Sequence, residues 1–206
     1  MHTRNHLIKQ VIALFCASFI MIVSLADLSP YQTQALTTNN FLKVDIIKQE
    51  KTNWCWAACA EMAGRYICGY PFLGIGYRNQ SNIVKHVKGS TDNLSGSLSD
   101  SVKGSTYAAK DTKKFSYTST TWSWSKLRQE VNDKKIVQLG AGYYQNGVRN
   151  GGHVVVLSGW SLNTSFDKYY IYYCDPWDGT ETYCEYDAFL DGSFNGRKYD
   201  QTIYIT

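Results

Sequence analysis

The sequence predicts an α+β fold with a helical first half, a β second half and a cleft where the two unlike halves meet. Three observations carry this. One Ala-rich stretch, 54–66 (Trp-Cys-Trp-Ala-Ala-Cys-Ala-Glu-Met-Ala-Gly-Arg-Tyr), is apolar almost all the way round and so predicts a central, buried helix. From Ile136 onward, runs of β-branched and aromatic residues are separated by Gly, Asn and Asp clusters. Helical and strand segments do not alternate, which excludes a sheet wound from βαβ units. Composition agrees with a folded domain: 206 residues, 44% hydrophobic and 18% charged, with an excess of Tyr (16) and Trp (6), exclude intrinsic disorder.

In chain order, residues 1–26 read as a secretory signal peptide. A basic start (Arg4, Lys9) precedes the apolar run 11–23, and Ser24-Leu25-Ala26 has the small-x-small form of a cleavage site. As a helix, 11–26 would extend about 24 Å, short of a hydrocarbon layer of roughly 30 Å, so export is favoured over an uncleaved anchor. A later cut after Ala35 is the alternative site. Without Arg4 and Lys9 the chain keeps 19 basic against 17 acidic side chains, no electrostatic footprint for nucleic acid. Residues 27–44 are polar and turn-rich and are expected to be a linker or short pro-segment, with the folded domain over 45–206.

Within that domain the helical lobe is expected at about 45–120 and the β lobe at about 121–206. Thr52 and Asn53 are available to cap the first helix and Gly69 to end it. A second helix is expected over 80–87. The stretch 89–121, rich in Ser, Thr, Gly, Asp and Lys, predicts loops with at most one further helical turn, and 125–132 a short helix with Ser125 as cap. Strands are expected at 136–141, 153–160, 168–174, 182–186 and 200–205.

The chemistry rests on a few side chains. Outside the signal five cysteines remain (Cys55, Cys59, Cys68, Cys174, Cys184), an odd number for an oxidising compartment, so at least one thiol has no intrachain partner. Cys55 falls in the first turn of the predicted helix, where free backbone N–H groups and the helix dipole favour a thiolate. That makes it the candidate nucleophile. Of the two histidines outside the signal, His86 lies in a polar context suited to a solvated helix face. His153 follows Asn150-Gly151-Gly152 and opens an apolar strand, a placement that can deliver an imidazole base into the cleft. Asp175, at a strand end before Pro176, is the candidate to orient that ring. Gln49, six positions before Cys55, can reach the same pocket as the Cys55 N–H and donate to an oxyanion. If Cys55 is free, Cys174 and Cys184 are placed to face each other, whereas Cys59 and Cys68 need the chain to turn back; three connectivities remain open. No thiol pair has zinc spacing with His, so neither metal nor cofactor is expected.

Gln49 with Asn53-Trp54-Cys55-Trp56-Ala57-Ala58, then Gly152-His153-Val154, then Asp175-Pro176-Trp177-Asp178-Gly179, resembles the papain-like cysteine peptidases, with the compact bacterial branch of staphopain-type and avirulence-effector peptidases looking closest. The resemblance implies a papain-like fold and, matched motif by motif, Cys55 as nucleophile, His153 as base, Asp175 as orienter and Gln49 as oxyanion donor. It also implies that Trp177 shields the hydrogen bond between His153 and Asp175. Two departures stand out: His153 follows Cys55 by 98 positions rather than roughly 130–150, and the third residue is Asp rather than the commoner Asn. Together with the signal-like start, the resemblance implies an exported monomeric thiol peptidase acting on a peptide or protein. A separate protein inhibitor is one form of restraint, and no membrane contact is expected once the signal is removed. Acyl transfer, cell-wall amide cleavage and a non-catalytic effector are the rival readings.

Overall fold

A computed structural model describes residues 38–69 and 76–206. The proposed signal and the part of the expected linker up to residue 37 lie outside the described residues. The described chain forms one compact unit from Thr38 to the C-terminus.

Its centre is an antiparallel sheet of seven strands. These are β1 (Asn39–Phe41), β2 (Phe115–Thr118), β3 (Val137–Gln145), β4 (Val148–Asn163), β5 (Lys168–Asp175), β6 (Thr180–Glu185) and β7 (Lys198–Ile205), in the order β2-β7-β3-β4-β5-β6 with β1 paired to β4. Helices α1 (Cys55–Cys68), α2 (Gln80–Lys88) and α3 (Leu98–Ala108) precede the main strands, α4 (Trp124–Asn132) leads into β3, and α5 (Tyr186–Asp191) joins β6 to β7. The α+β order predicted from sequence is therefore the observed one, with the antiparallel sheet in the second half.

Both faces of the sheet are covered, which explains why β3 and β4 read as nearly continuous apolar runs. On one face Val156, Cys174 and Ile203 pack against Cys59, Met62 and Ala63 of α1. On the other, Leu139, Val155, Leu157, Trp160 and Tyr173 pack with Leu127 and Val131 of α4 and Phe189 of α5. Trp54, Trp56, Ala57 and Ala60 join α1 to Ile83 and Val84 of α2. The helix predicted to be central is indeed buried between the sheet and the other helices.

Several expectations are corrected. Strand β1 falls inside the stretch read as linker, because Asn39 to Phe41 pair with Ser161 to Gly159 on β4. Helix α3 runs three turns where loops were expected. Its buried stripe is Ser101, Gly104, Ser105 and Ala108, helical in spacing but almost devoid of large apolar residues. It is small because α3 approaches α1 closely: a Cβ on Gly64 would stand 2.7 Å from Ala108 Cβ. The Ser97–Asp100 capping box starts the helix. Strand β2 and helix α5 were also unanticipated, and α4 is capped by Ser123 rather than Ser125. All five described cysteines are free. Cys174 and Cys184 cannot bridge, because Cys184 pairs with Ile171, an odd number of residues from Cys174, which puts the two side chains on opposite faces of the sheet.

Candidate active site

The first turn of α1 begins without a side-chain cap. Trp54 occupies the cap position and makes no capping bond, and the expected caps are engaged elsewhere. Thr52 Oγ1 accepts from Asn93 Nδ2 at 2.7 Å, and Asn53 Nδ2 donates to the Asn93 carbonyl at 2.9 Å. Asn93 Oδ1 also accepts from the Asn53 N–H at 2.9 Å. The indole N–H groups of Trp54 and Trp56 donate to the carbonyls of Asp92 and Leu94. The loop 92–94, within a stretch that looked uninformative, thus clamps the turn before Cys55. The clamp leaves the first backbone N–H groups of α1 to other acceptors.

The Cys55 thiol meets the ring of His153 on β4. On the far side of the ring, Nε2 lies 2.5 Å from Asp175 Oδ1 at the end of β5, which leaves Nδ1 as the nitrogen for the sulfur. Sheet register makes this possible: β4 and β5 pair directly, with Val156 opposite Cys174, so the start of one strand and the end of the other lie side by side. The structure therefore brings Cys55, His153 and Asp175 into one chain of contacts.

The electrostatics follow from that chain. Burial by itself would raise the Cys55 thiol. The hydrogen bond and charge of His153, with bonds from the Val154 and Trp56 backbones, reverse the sign and hold it below its ordinary value. Burial would likewise lower His153, yet its bonds to Asp175 and Cys55 push it up to about 9. Burial opposes the charge on Asp175, but His153, the Trp177 N–H and the Arg197 guanidinium keep its carboxyl below the usual range. The Trp177 N–H donates to Asp175 Oδ1 at 2.9 Å, and Arg197 Nη1 stands 3.6 Å from Oδ2. All three shifts favour a thiolate–imidazolium pair backed by a carboxylate.

Gln49 is held beside this chain by its backbone: its N–H donates to the Pro176 carbonyl at 2.7 Å, tying the segment before Cys55 to the turn after Asp175. Its side-chain Nε2 donates to the carbonyls of Lys51 (2.9 Å) and Thr52 (2.8 Å), and its Oε1 is buried without a partner among the described residues. Buried Gln80 secures the same segment from behind, with Nε2 on the Lys48 carbonyl and Oε1 accepting from the Glu50 N–H, both at 2.9 Å. Trp177 contributes its backbone to Asp175, while its side chain is 53% exposed at the cleft. His86, on exposed α2 surface, stacks on Tyr107 at 3.8 Å, far from any such chemistry.

Cys55 and His153 open onto a cleft of about 670 Å³. Trp56 and the 95–99 segment form one wall and Gly151, Gly152, Arg149 and Arg197 the other. Arg197, Asn93 and Gln80 are the participants that sequence reasoning missed. Each acts through a partner distant in the chain, and none carries a local motif.

A family model described as the Peptidase_C39 like family matches residues 41–203. Among solved structures the chain is similar to one described as a double glycine motif protease from an AMS/PCAT transporter in complex with the leader peptide. That similarity has a TM-score of 0.48 and 17% sequence identity, and covers 81% of this chain and 95% of that one. No curated protein matches the chain.

Proposed function

The chain belongs to the Peptidase_C39 like family and is a cysteine-type peptidase; from that premise we propose that it hydrolyses peptide bonds through a Cys55–His153–Asp175 triad and an acyl-enzyme. The observation that carries the triad is the relay itself, in which a thiol lowered in pKa meets an imidazole raised to about 9 that is bonded at 2.5 Å to a carboxylate.

Chemically, the thiolate of Cys55 attacks the scissile carbonyl carbon. The carbonyl oxygen takes the negative charge and meets the Cys55 N–H at the uncapped start of α1. Gln49 is the second donor: one of its amide hydrogens exchanges from the Lys51 or Thr52 carbonyl to the oxyanion as charge develops. Imidazolium at His153 then protonates the leaving amine, and the C–N bond breaks to give a thioester. Neutral His153 next takes a proton from water, whose oxygen attacks the thioester; the C–S bond breaks to release the acid and the thiolate, which with the protonated ring restores the ion pair. Throughout, Asp175 keeps the ring oriented and stabilises its protonated form.

The signal-like segment 1–26 supports the further proposal that the peptidase is exported. The resemblance of Asn53-Trp54-Cys55-Trp56-Ala57-Ala58 to the nucleophile segment of the compact bacterial papain-like enzymes supports placing it near that branch.

Mass mapping of an epoxide thiol trap on the secreted protein, followed by turnover of casein and of purified cell wall, tests the reading. Rapid modification confined to Cys55, with casein cleaved and cell wall untouched, is expected. Sluggish labelling, or cleavage that survives Cys55→Ala, would overturn it.

A further inference from the structure

The cleft is charged in one direction. Among the described residues lining it there is no Asp or Glu, while Arg149 and Arg197 line it from opposite faces of the β3–β4 hairpin. The β3–β4 hairpin, turned at Asn146 and Gly147 with positive φ, carries Arg149 to this position. Gly152 makes room for it, since a Cβ there would come within 2.3 Å of Arg149 Nη2. The guanidinium therefore lies over the face of the hairpin to which Gly142 and Gly152 point, while His153, paired with Ala141, points to the other face.

Both arginines are anchored from behind and open in front. Arg149 Nε donates to Asp200 Oδ2 at 2.7 Å and Nη2 to Gln201 Oε1 at 3.3 Å. Asp200 Oδ2 is shared with the Tyr144 hydroxyl, also at 2.7 Å. Arg197 Nε donates to the Tyr143 hydroxyl at 2.6 Å, and its Nη1 approaches Asp175 without reaching hydrogen-bond distance. Arg149 also meets the Tyr144 hydroxyl that shares Asp200. The two acids that balance these charges, Asp200 and Asp175, do not line the cleft, so a substrate meets the donors first. A guanidinium has five N–H groups, and anchoring through one edge leaves the other for a second planar anion. Arginines that served only to brace the hairpin and Asp175 would have no reason to face the cleft, yet their side chains are 33% and 20% exposed there.

We propose that the Arg149 face of this hairpin is a carboxylate-binding subsite, so that preferred substrates present a carboxylate within a few residues of the bond to be cut. The subsite rests on the peptidase reading for its substrate but not for its binding step. The carboxylate has two chemical sources, an acidic side chain or the substrate's own C-terminus.

The test uses quenched octapeptides on a neutral Gly/Ala/Ser/Leu background, each position scanned with Glu, Gln or Lys as C-terminal amides. A parallel all-neutral series is made as free acids. kcat/KM is measured with the intact enzyme, and binding of the same peptides to Cys55→Ala is followed by fluorescence anisotropy. At one or two positions Glu is expected to exceed Gln by about tenfold, the scale of a charge-assisted hydrogen bond at a half-open site, and Lys to fall below Gln. The preference should shrink severalfold between 0.05 and 0.5 M salt. If the free-acid series is the one that gains, the source is the terminus; if the Glu series gains, it is a side chain. Arg149→Gln in the Cys55→Ala background should bring the Glu/Gln binding ratio below about twofold, with Arg149→Lys restoring part of it.

A wild-type ratio below twofold for both carboxylate sources, or a ratio unchanged in Arg149→Gln, would overturn the subsite. Failure of the peptidase reading looks different: no peptide is cut, while Cys55→Ala still binds carboxylate peptides selectively.

Discussion

Cys55 and Cys59 sit one turn apart on the same helix, and their thiols behave in opposite ways. At the first turn, Cys55 meets His153 and the backbones of Val154 and Trp56 and is held below its ordinary pKa. One turn inward, Cys59 is enclosed between α1 and the sheet, with its Sγ 3.1 Å from the Val154 carbonyl, and burial pushes it well up. Burial also drives Cys174 and Cys184 up to about 12. Helix, residue type and depth are nearly shared between Cys55 and Cys59, so what separates a nucleophile from a core thiol is the charge and donors it meets.

The largest effect should therefore divide these two positions. Cys55→Ala is expected to lower kcat/KM by at least about 10⁴-fold with an unchanged circular dichroism spectrum and melting curve. Cys59→Ala should keep activity within a few-fold and lose about 1 kcal/mol of stability in urea unfolding. Comparable activity losses in the two variants would erase the contrast.

Next comes the support behind the imidazole. Asp175→Ala removes the carboxylate that raises His153 and is expected to reduce kcat by on the order of 10²-fold or more while KM moves little. An Asp175→Ala enzyme of near-normal kcat would mean that the strand-end carboxylate is a turn residue only. A somewhat smaller loss, about 10²-fold in kcat, is expected for Gln49→Ala if its amide reaches the oxyanion. If Gln49 serves only to hold the Lys51 and Thr52 carbonyls, the variant will instead show a lowered melting temperature with kcat nearly intact. The mildest change is pH-linked stability. His153 has its pKa raised from 6.5 to about 9 on folding, so its contribution is fully present below about 6.5 and disappears as pH climbs through about 9. Cys55, lowered on folding, contributes with the opposite sign, so urea midpoints measured from pH 6 to 10 should stay nearly level in the wild type and fall with rising pH in Cys55→Ala, where the raised His153 titrates without that offset.

Three of the four proposed catalytic positions were legible because each announces itself over a few residues, whereas Gln49 was read only from its spacing to Cys55. Cys55 opens an Ala-rich helix, His153 follows two glycines into an apolar strand, and Asp175 precedes a proline at a strand end. The structure places Cys55, His153 and Asp175 in contact. Gln49 is close by through its backbone, with its amide turned to its own loop. The α+β order was equally legible, since periodicity changes once along the chain. Helix α3 was not, because a close helix–helix approach selects Ser101, Gly104, Ser105 and Ala108, residues that hydrophobic patterning reads as loop. Nor were the clamps of Asn93 and Gln80 or the ion pair of Arg197 with Asp175. Those join residues 22 to 41 positions apart, and nothing local in an Asn, Gln or Arg predicts its partner.

A preformed ion pair between Cys55 and His153 underlies the whole mechanism. The rate of iodoacetamide alkylation at Cys55, followed by mass spectrometry from pH 4 to 10, reports thiolate directly. In the wild type the rate should already be high well below pH 9 and change again near 9 as the imidazolium loses its proton, and His153→Ala should collapse this to a single rise at or above the ordinary thiol value. A single rise near 9 in the wild type, unaltered by His153→Ala, would contradict the pair and with it the proposed mechanism.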